Sequence, residues 1–197
     1  MKNSLLLLMQ NKRWSRLVLL ISFIAICGCM PVSLTYWEAA AHGGKLLNSV
    51  PGTVGYKDMI ELSFDYVEVQ LIGGRSWLSV DLLIPEGKTA SFVTDEVALY
   101  EEQPLPRMIK FKMTDWDPKT LKPFDISPTD VMHGKNTNVA FLGGPEPKTY
   151  GGSIQFGEGE RTHYSVKLPL LKVDDQIHNI PVVEFTRKEG VGIGPIN

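Results

Sequence analysis

Cysteine is nearly missing from this 197-residue chain, which has only Cys27 and Cys29. No cysteine follows Cys29, so the body of the chain has no disulfide, no cysteine-ligated zinc, no thiol redox pair and no Cys nucleophile. Its stability must come from packing. Dense clusters of Lys and Arg are also lacking after residue 28: the 169 residues beyond Gly28 carry 16 basic against 22 acidic side chains, a formal charge of −6. That balance argues against nucleic acid, whose phosphates call for a basic stripe. No repeat recurs at a solenoid or propeller period. The longest leader run, Leu17 to Ile26, rises only about 15 Å as a helix, roughly half of a ~30 Å hydrocarbon core, so it is too short to span a bilayer.

Acidic residues are absent from the first 28 positions, which instead hold Lys2, Lys12, Arg13 and Arg16. Basic residues, then an apolar stretch, then small residues make a secretory signal peptide with its basic end in the cytoplasm. Met9 to Gly28 alone has those proportions, which makes Met9 a candidate start. The stretch Ile26-Cys27-Gly28-Cys29 resembles a lipobox, the processing site of bacterial lipoproteins. The resemblance covers the export segment only, and Cys27 stands where Ala or Ser is more usual. It implies diacylglycerol on the Cys29 sulfur, cleavage after Gly28 and acylation of the new amino terminus. Two or three acyl chains would hold a water-compatible body at a membrane without a spanning helix. Met30, rather than Asp, follows Cys29. In a Gram-negative cell this implies the periplasmic face of the outer membrane, and in a Gram-positive one the outside of the cytoplasmic membrane.

Residues 29–57 are expected to be a tether, with a helical turn at Tyr36 to His42 broken by Gly43-Gly44 and a turn at Pro51-Gly52. Tyr36 and Trp37 would then lie either at the headgroup level or against the domain's own surface. From residue 58 to 197 the apolar spacing becomes two. Val67, Val69 and Leu71 alternate with Glu68 and Gln70, and Leu78, Val80, Leu82 and Ile84 follow beyond Gly73-Gly74, a hairpin pattern. Further strands are expected at 91–93, 97–100, 108–113, 138–142, 153–156, 164–168 and 182–186. No sustained helical stripe follows Ala41. Short strands punctuated by Gly and Pro predict an all-β, two-layer antiparallel sandwich of immunoglobulin-like type, with a small barrel as the alternative. Trp77 and Tyr66 are expected to pack within it. Gly143-Gly144-Pro145 and Gly151-Gly152 read as turns, and Gly190 to Pro195 as a flexible or edge-capping end.

Catalytic signatures are scarce. There is no His-Glu-x-x-His pair, no Gly-x-Ser-x-Gly elbow and no phosphate loop, and His133, His163 and His178 are isolated. The least regular stretch, Thr114 to Thr137, holds Asp115, Trp116, Asp117, Asp125, Asp130 and His133 with three prolines, and long loops are often functional. Asp115 and Asp117 are weak candidates for one hard cation, but the alternating ligand series of a calcium loop is missing, and turn capping explains them better. No cofactor is implied. The sequence therefore predicts a non-catalytic envelope lipoprotein that binds another envelope component, protein or polysaccharide. The alternatives are a polysaccharide hydrolase or lyase using Asp115, Asp117 or Asp130, and a small-ligand carrier or adhesin.

Overall fold

The computed structural model describes residues 29–49, 57–103, 105–116, 120, 122–138, 145–157, 159 and 161–195. The expected export segment 1–28 and Asp117 lie outside the described residues. The first half of the chain forms β1 (Cys29–Ala40), β2 (Lys45–Leu47), β3 (Met59–Phe64), β4 (Val67–Gly73), β5 (Trp77–Ile84), β6 (Thr89–Phe92), β7 (Glu96–Tyr100), β8 (Arg107–Lys110) and β9 (Met113–Trp116). There follow β10 (Pro123–Ile126), β11 (Met132–His133), β12 (Thr137–Asn138), β13 (Pro145–Glu146), β14 (Lys148–Gln155), β15 (His163–Lys167), β16 (Leu171–Val173), β17 (Gln176–His178) and β18 (Val183–Pro195). No helix occurs among the described residues.

The chain is an all-β antiparallel sandwich. One layer is the five-stranded sheet β1-β18-β15-β7-β8, the other the seven-stranded sheet β10-β9-β14-β5-β4-β3-β2, and both are open, so no barrel forms. Alternation is the cause: along β4 and β5 every second residue, Val67, Val69, Leu71 and then Leu78, Val80, Leu82, Ile84, is buried. A side-chain period of two commits one sheet face to the core. Opposite them, Val97, Leu99, Tyr164, Val166, Val183 and Phe185 close the interior. Tyr164 anchors this side, with its ring centroid 5.1 Å from each of Trp37, Phe156 and Phe185. Its hydroxyl donates to the Gly74 carbonyl at 3.1 Å, and burial drives its pKa well above the ordinary phenol value.

Several expectations need correction. The tether with a helical turn over 29–57 is, for residues 29–40, a twelve-residue strand paired along its whole length with β18. Apolar residues on both alternations conceal a strand when no single buried face is imposed. Trp37 and Ala39 belong to the core, so the aromatic packs on the domain rather than at a headgroup. The tail from Gly190 is the far half of β18, not a flexible end.

Gly151-Gly152 is no turn but the middle of β14. A Cβ on Gly152 would lie 2.8 Å from Met113 Sδ and 3.1 Å from the Lys112 carbonyl, so glycine lets β9 approach closely. The run expected over 108–113 is two strands in different layers, because the chain crosses between sheets at Phe111-Lys112. Buried Phe111 fixes that crossing, meeting Phe92 edge-on at 5.4 Å. Tyr66 is 84% exposed at a left-handed φ of 73° in the β3–β4 turn. Trp77 is partly exposed, lying over Gly74, where a Cβ would come within 2.4 Å of its ring.

The sandwich has two distinct ends. Gly73 abuts Phe185 and Tyr164, so the β4–β5 turn shares an end with the part of β18 that leads toward residue 195. The other end holds the β3–β4 turn, Ile84 paired with Lys148, and a small sheet β11-β6-β16-β17.

Candidate functional site

At that second end, the stretch expected to be an irregular loop contains a β9–β10 hairpin. Trp116 pairs with Pro123 and Asp115 with Phe124. Strand β14 lies beside β9 and brings Lys148 under the hairpin. The Lys148 ammonium donates to Asp115 Oδ2 at 2.7 Å, and the other carboxylate oxygen accepts the Trp116 main-chain N–H at 2.7 Å. Both side chains are mostly covered, Lys148 being 25% and Asp115 15% exposed. Lys148 also sits 4.5 Å from the centroid of Tyr150, whose hydroxyl donates to the His133 carbonyl. Burial disfavours the ammonium, but the bonds to Asp115 and Tyr150 outweigh it, so the Lys148 pKa is raised above that of a free lysine.

This locked pair forms the floor of an open recess of about 430 Å³ lined by Asp115, Trp116, Thr120, Lys122, Pro123, Phe124 and Lys148. Trp116 and Phe124 remain 59% and 46% exposed on its wall. Aromatic faces that stay in water at a concave polar site suit a ligand with flat apolar surfaces and hydrogen-bonding edges. Tyr66 and Ile177 are exposed apolar groups at the same end of the sandwich.

The predicted carboxylates have local duties. Asp115 is held by Lys148 and its own strand. Asp130 Oδ2 accepts the Ser127 N–H at 3.1 Å and so caps a turn. Among the described residues no group of three or more His, Cys, Asp or Glu is placed to hold a metal ion. His163 Nδ1 lies 3.1 Å from the Thr186 hydroxyl. His178 Nε2 is 3.1 Å from Asp65 but off hydrogen-bond alignment. Cys29 opens β1, opposite Pro195. No helix among the described residues is long and apolar enough to cross a membrane. Sequence reasoning missed Lys148 because its partner is 33 residues away, and only the alternation of β14 hinted that it shares a side with Tyr150. No family model, curated protein or solved structure matches the chain.

Proposed function

We propose that the chain is an exported bacterial lipoprotein, held by acyl chains on Cys29 at the periplasmic face of an outer membrane, whose β-sandwich is a non-catalytic binding module for another envelope component. The observation that carries the reading is the order of the first 29 residues: basic positions, an apolar run and Ile26-Cys27-Gly28-Cys29. Asp115 and Asp130, the described carboxylates a hydrolase would need, are engaged in bonds that build the fold, which favours binding over catalysis. The recess with Trp116 and Phe124 is the surface offered to the partner, an envelope protein or polysaccharide.

The test is metabolic labelling with radioactive palmitate in a bacterial host, comparing the parent with Cys29→Ser. Label on the parent alone, and loss of membrane partition in the variant, is the expected result. A Cys29→Ser chain that is processed and partitions like the parent refutes the anchor. For the binding role, photo-crosslinking from position 116 in intact cells should capture an envelope component that Phe124→Ala releases.

A further inference from the structure

The β1–β18 pair is longer than the sheet that carries it. Strand β15 pairs with β18 only over Val183 to Thr186, and the last main-chain bond to the sandwich runs from the Arg187 N–H to the Thr162 carbonyl at 2.8 Å. Beyond that point β18 has, among the described residues, only β1 beside it, in unbroken register from Trp37↔Arg187 to Cys29↔Pro195. At about 3.3 Å per residue this two-stranded ribbon projects roughly 25 Å. Trp37 fixes its root, being buried against Tyr164.

Charge divides the ribbon. Its outer half, residues 29–34 paired with 190–195, contains no charged residue, and the register sets Met30, Val32 and Leu34 opposite Gly194, Gly192 and Gly190. Inward of the tip come Glu189 and then exposed Lys188 and Arg187, with Glu189 3.8 Å from Arg187 and Glu38 beyond them opposite Thr186. From Arg187 outward the ribbon carries two basic residues and one acidic one, and an uncharged tip above a net-basic band matches the layering of an anionic bilayer surface, where each Lys or Arg near the headgroups adds attraction. Depth is limited: among the described residues no further strand pairs with either edge of the ribbon, and hydrocarbon does not tolerate open sheet edges.

We infer that the β1–β18 ribbon is a membrane-seating stalk, its uncharged tip lying in the headgroup region of an anionic phospholipid bilayer with Arg187 and Lys188 level with the phosphates. The inference rests on the proposed anchor at Cys29, and it adds a contact surface and an orientation. The lipid attaches to a stiff spacer rather than a slack tether, and the Trp116 recess, at the opposite end of the sandwich, faces away from the membrane.

The experiment uses the full chain, matured in cells, its lipidation state read by intact mass, and reconstituted in phosphatidylethanolamine–phosphatidylglycerol vesicles. An environment-sensitive fluorophore is placed at Ser33→Cys or, as a distal control, at Asp175→Cys. The expected result is a blue-shifted Ser33 label, quenched by headgroup spin-labelled lipid, and an Asp175 label quenched only by aqueous iodide. A lipidated protein whose two labels behave alike overturns the stalk while leaving the anchor intact. Label self-quenching at high dilution, reporting a second copy on the ribbon, overturns it too.

If the mass shows no lipid, the anchor reading fails, and the ribbon is tested separately. Residues 29–197 with Cys29→Ser, which contain every described strand, are floated with phosphatidylglycerol vesicles at low salt. Flotation that falls about tenfold to thirtyfold in Arg187→Gln/Lys188→Gln supports the lipid contact, and no flotation refutes it.

Discussion

Replacing Asp115 by Asn while keeping Lys148 tests whether the recess floor is structural. At 2.7 Å the pair's Coulomb attraction is about 6 kcal/mol for an effective dielectric of about 20, and desolvation of both groups opposes it. Exposed pairs contribute about 0–1 kcal/mol, and breaking a fully buried one costs about 3–5. With Asp115 15% and Lys148 25% exposed, Asp115→Asn should cost about 2 kcal/mol, because the ammonium loses its counter-charge and keeps a neutral amide oxygen, the Tyr150 ring and partial hydration. Lys148→Met should cost slightly less, about 1.5 kcal/mol, since the carboxylate retains the Trp116 N–H.

The double variant should then lose about 2 kcal/mol rather than the sum, giving a coupling of about 1.5 kcal/mol. Urea unfolding followed by far-ultraviolet circular dichroism measures all three without relying on Trp116 fluorescence. The raised Lys148 pKa sets the pH window. A lysine whose folded pKa exceeds its unfolded value of about 10.4 contributes its full stability below that pH and loses it as pH rises through the folded value. The gap between parent and Lys148→Met should therefore hold at neutral pH and close in strong alkali. Additive single effects, or single effects under about 0.5 kcal/mol, would refute the locked floor and return Asp115 to the pool of groups free for a ligand.

Three further outcomes are expected. Burial raises the Asp81 pKa, so its ionisation costs stability as pH climbs through the folded value; Asp81→Asn should unfold at a higher temperature than the parent at pH 7 and lose that advantage near pH 3. Gly134→Ala would set a Cβ 1.8 Å from the Pro85 carbonyl, a main-chain atom that cannot swing aside, and should cost about 3 kcal/mol in urea titration. Tyr66→Gly relieves a left-handed residue that is almost fully exposed; after glycine's extra unfolded-state entropy is offset, calorimetry should show a gain of about 0.5 kcal/mol.

The sandwich class was legible because β4 and β5 bury one alternation cleanly and because Gly73-Gly74 marks their turn. Strand pairing across long separations was not. Residues 29–40 carry apolar groups on both alternations, and their partner strand is read by eye as a Gly-rich tail; only the register between them makes either a strand. Likewise the alternation from Met108 to Met113 is continuous in sequence, and nothing local says that it changes layer at Phe111. Trp116 and Asp115 stood out as aromatic and acidic residues in a Pro-rich stretch. That Asp115 is neutralised depends on Lys148, which a local window cannot supply.

Strand β1 and strand β18 begin and end the described chain, and each is the other's longest partner. A chain that lacks β18 would therefore leave β1 and the rim of β15 unsatisfied. The same wiring makes a chain cut short by even one strand sticky, since bare strand rims recruit foreign strands.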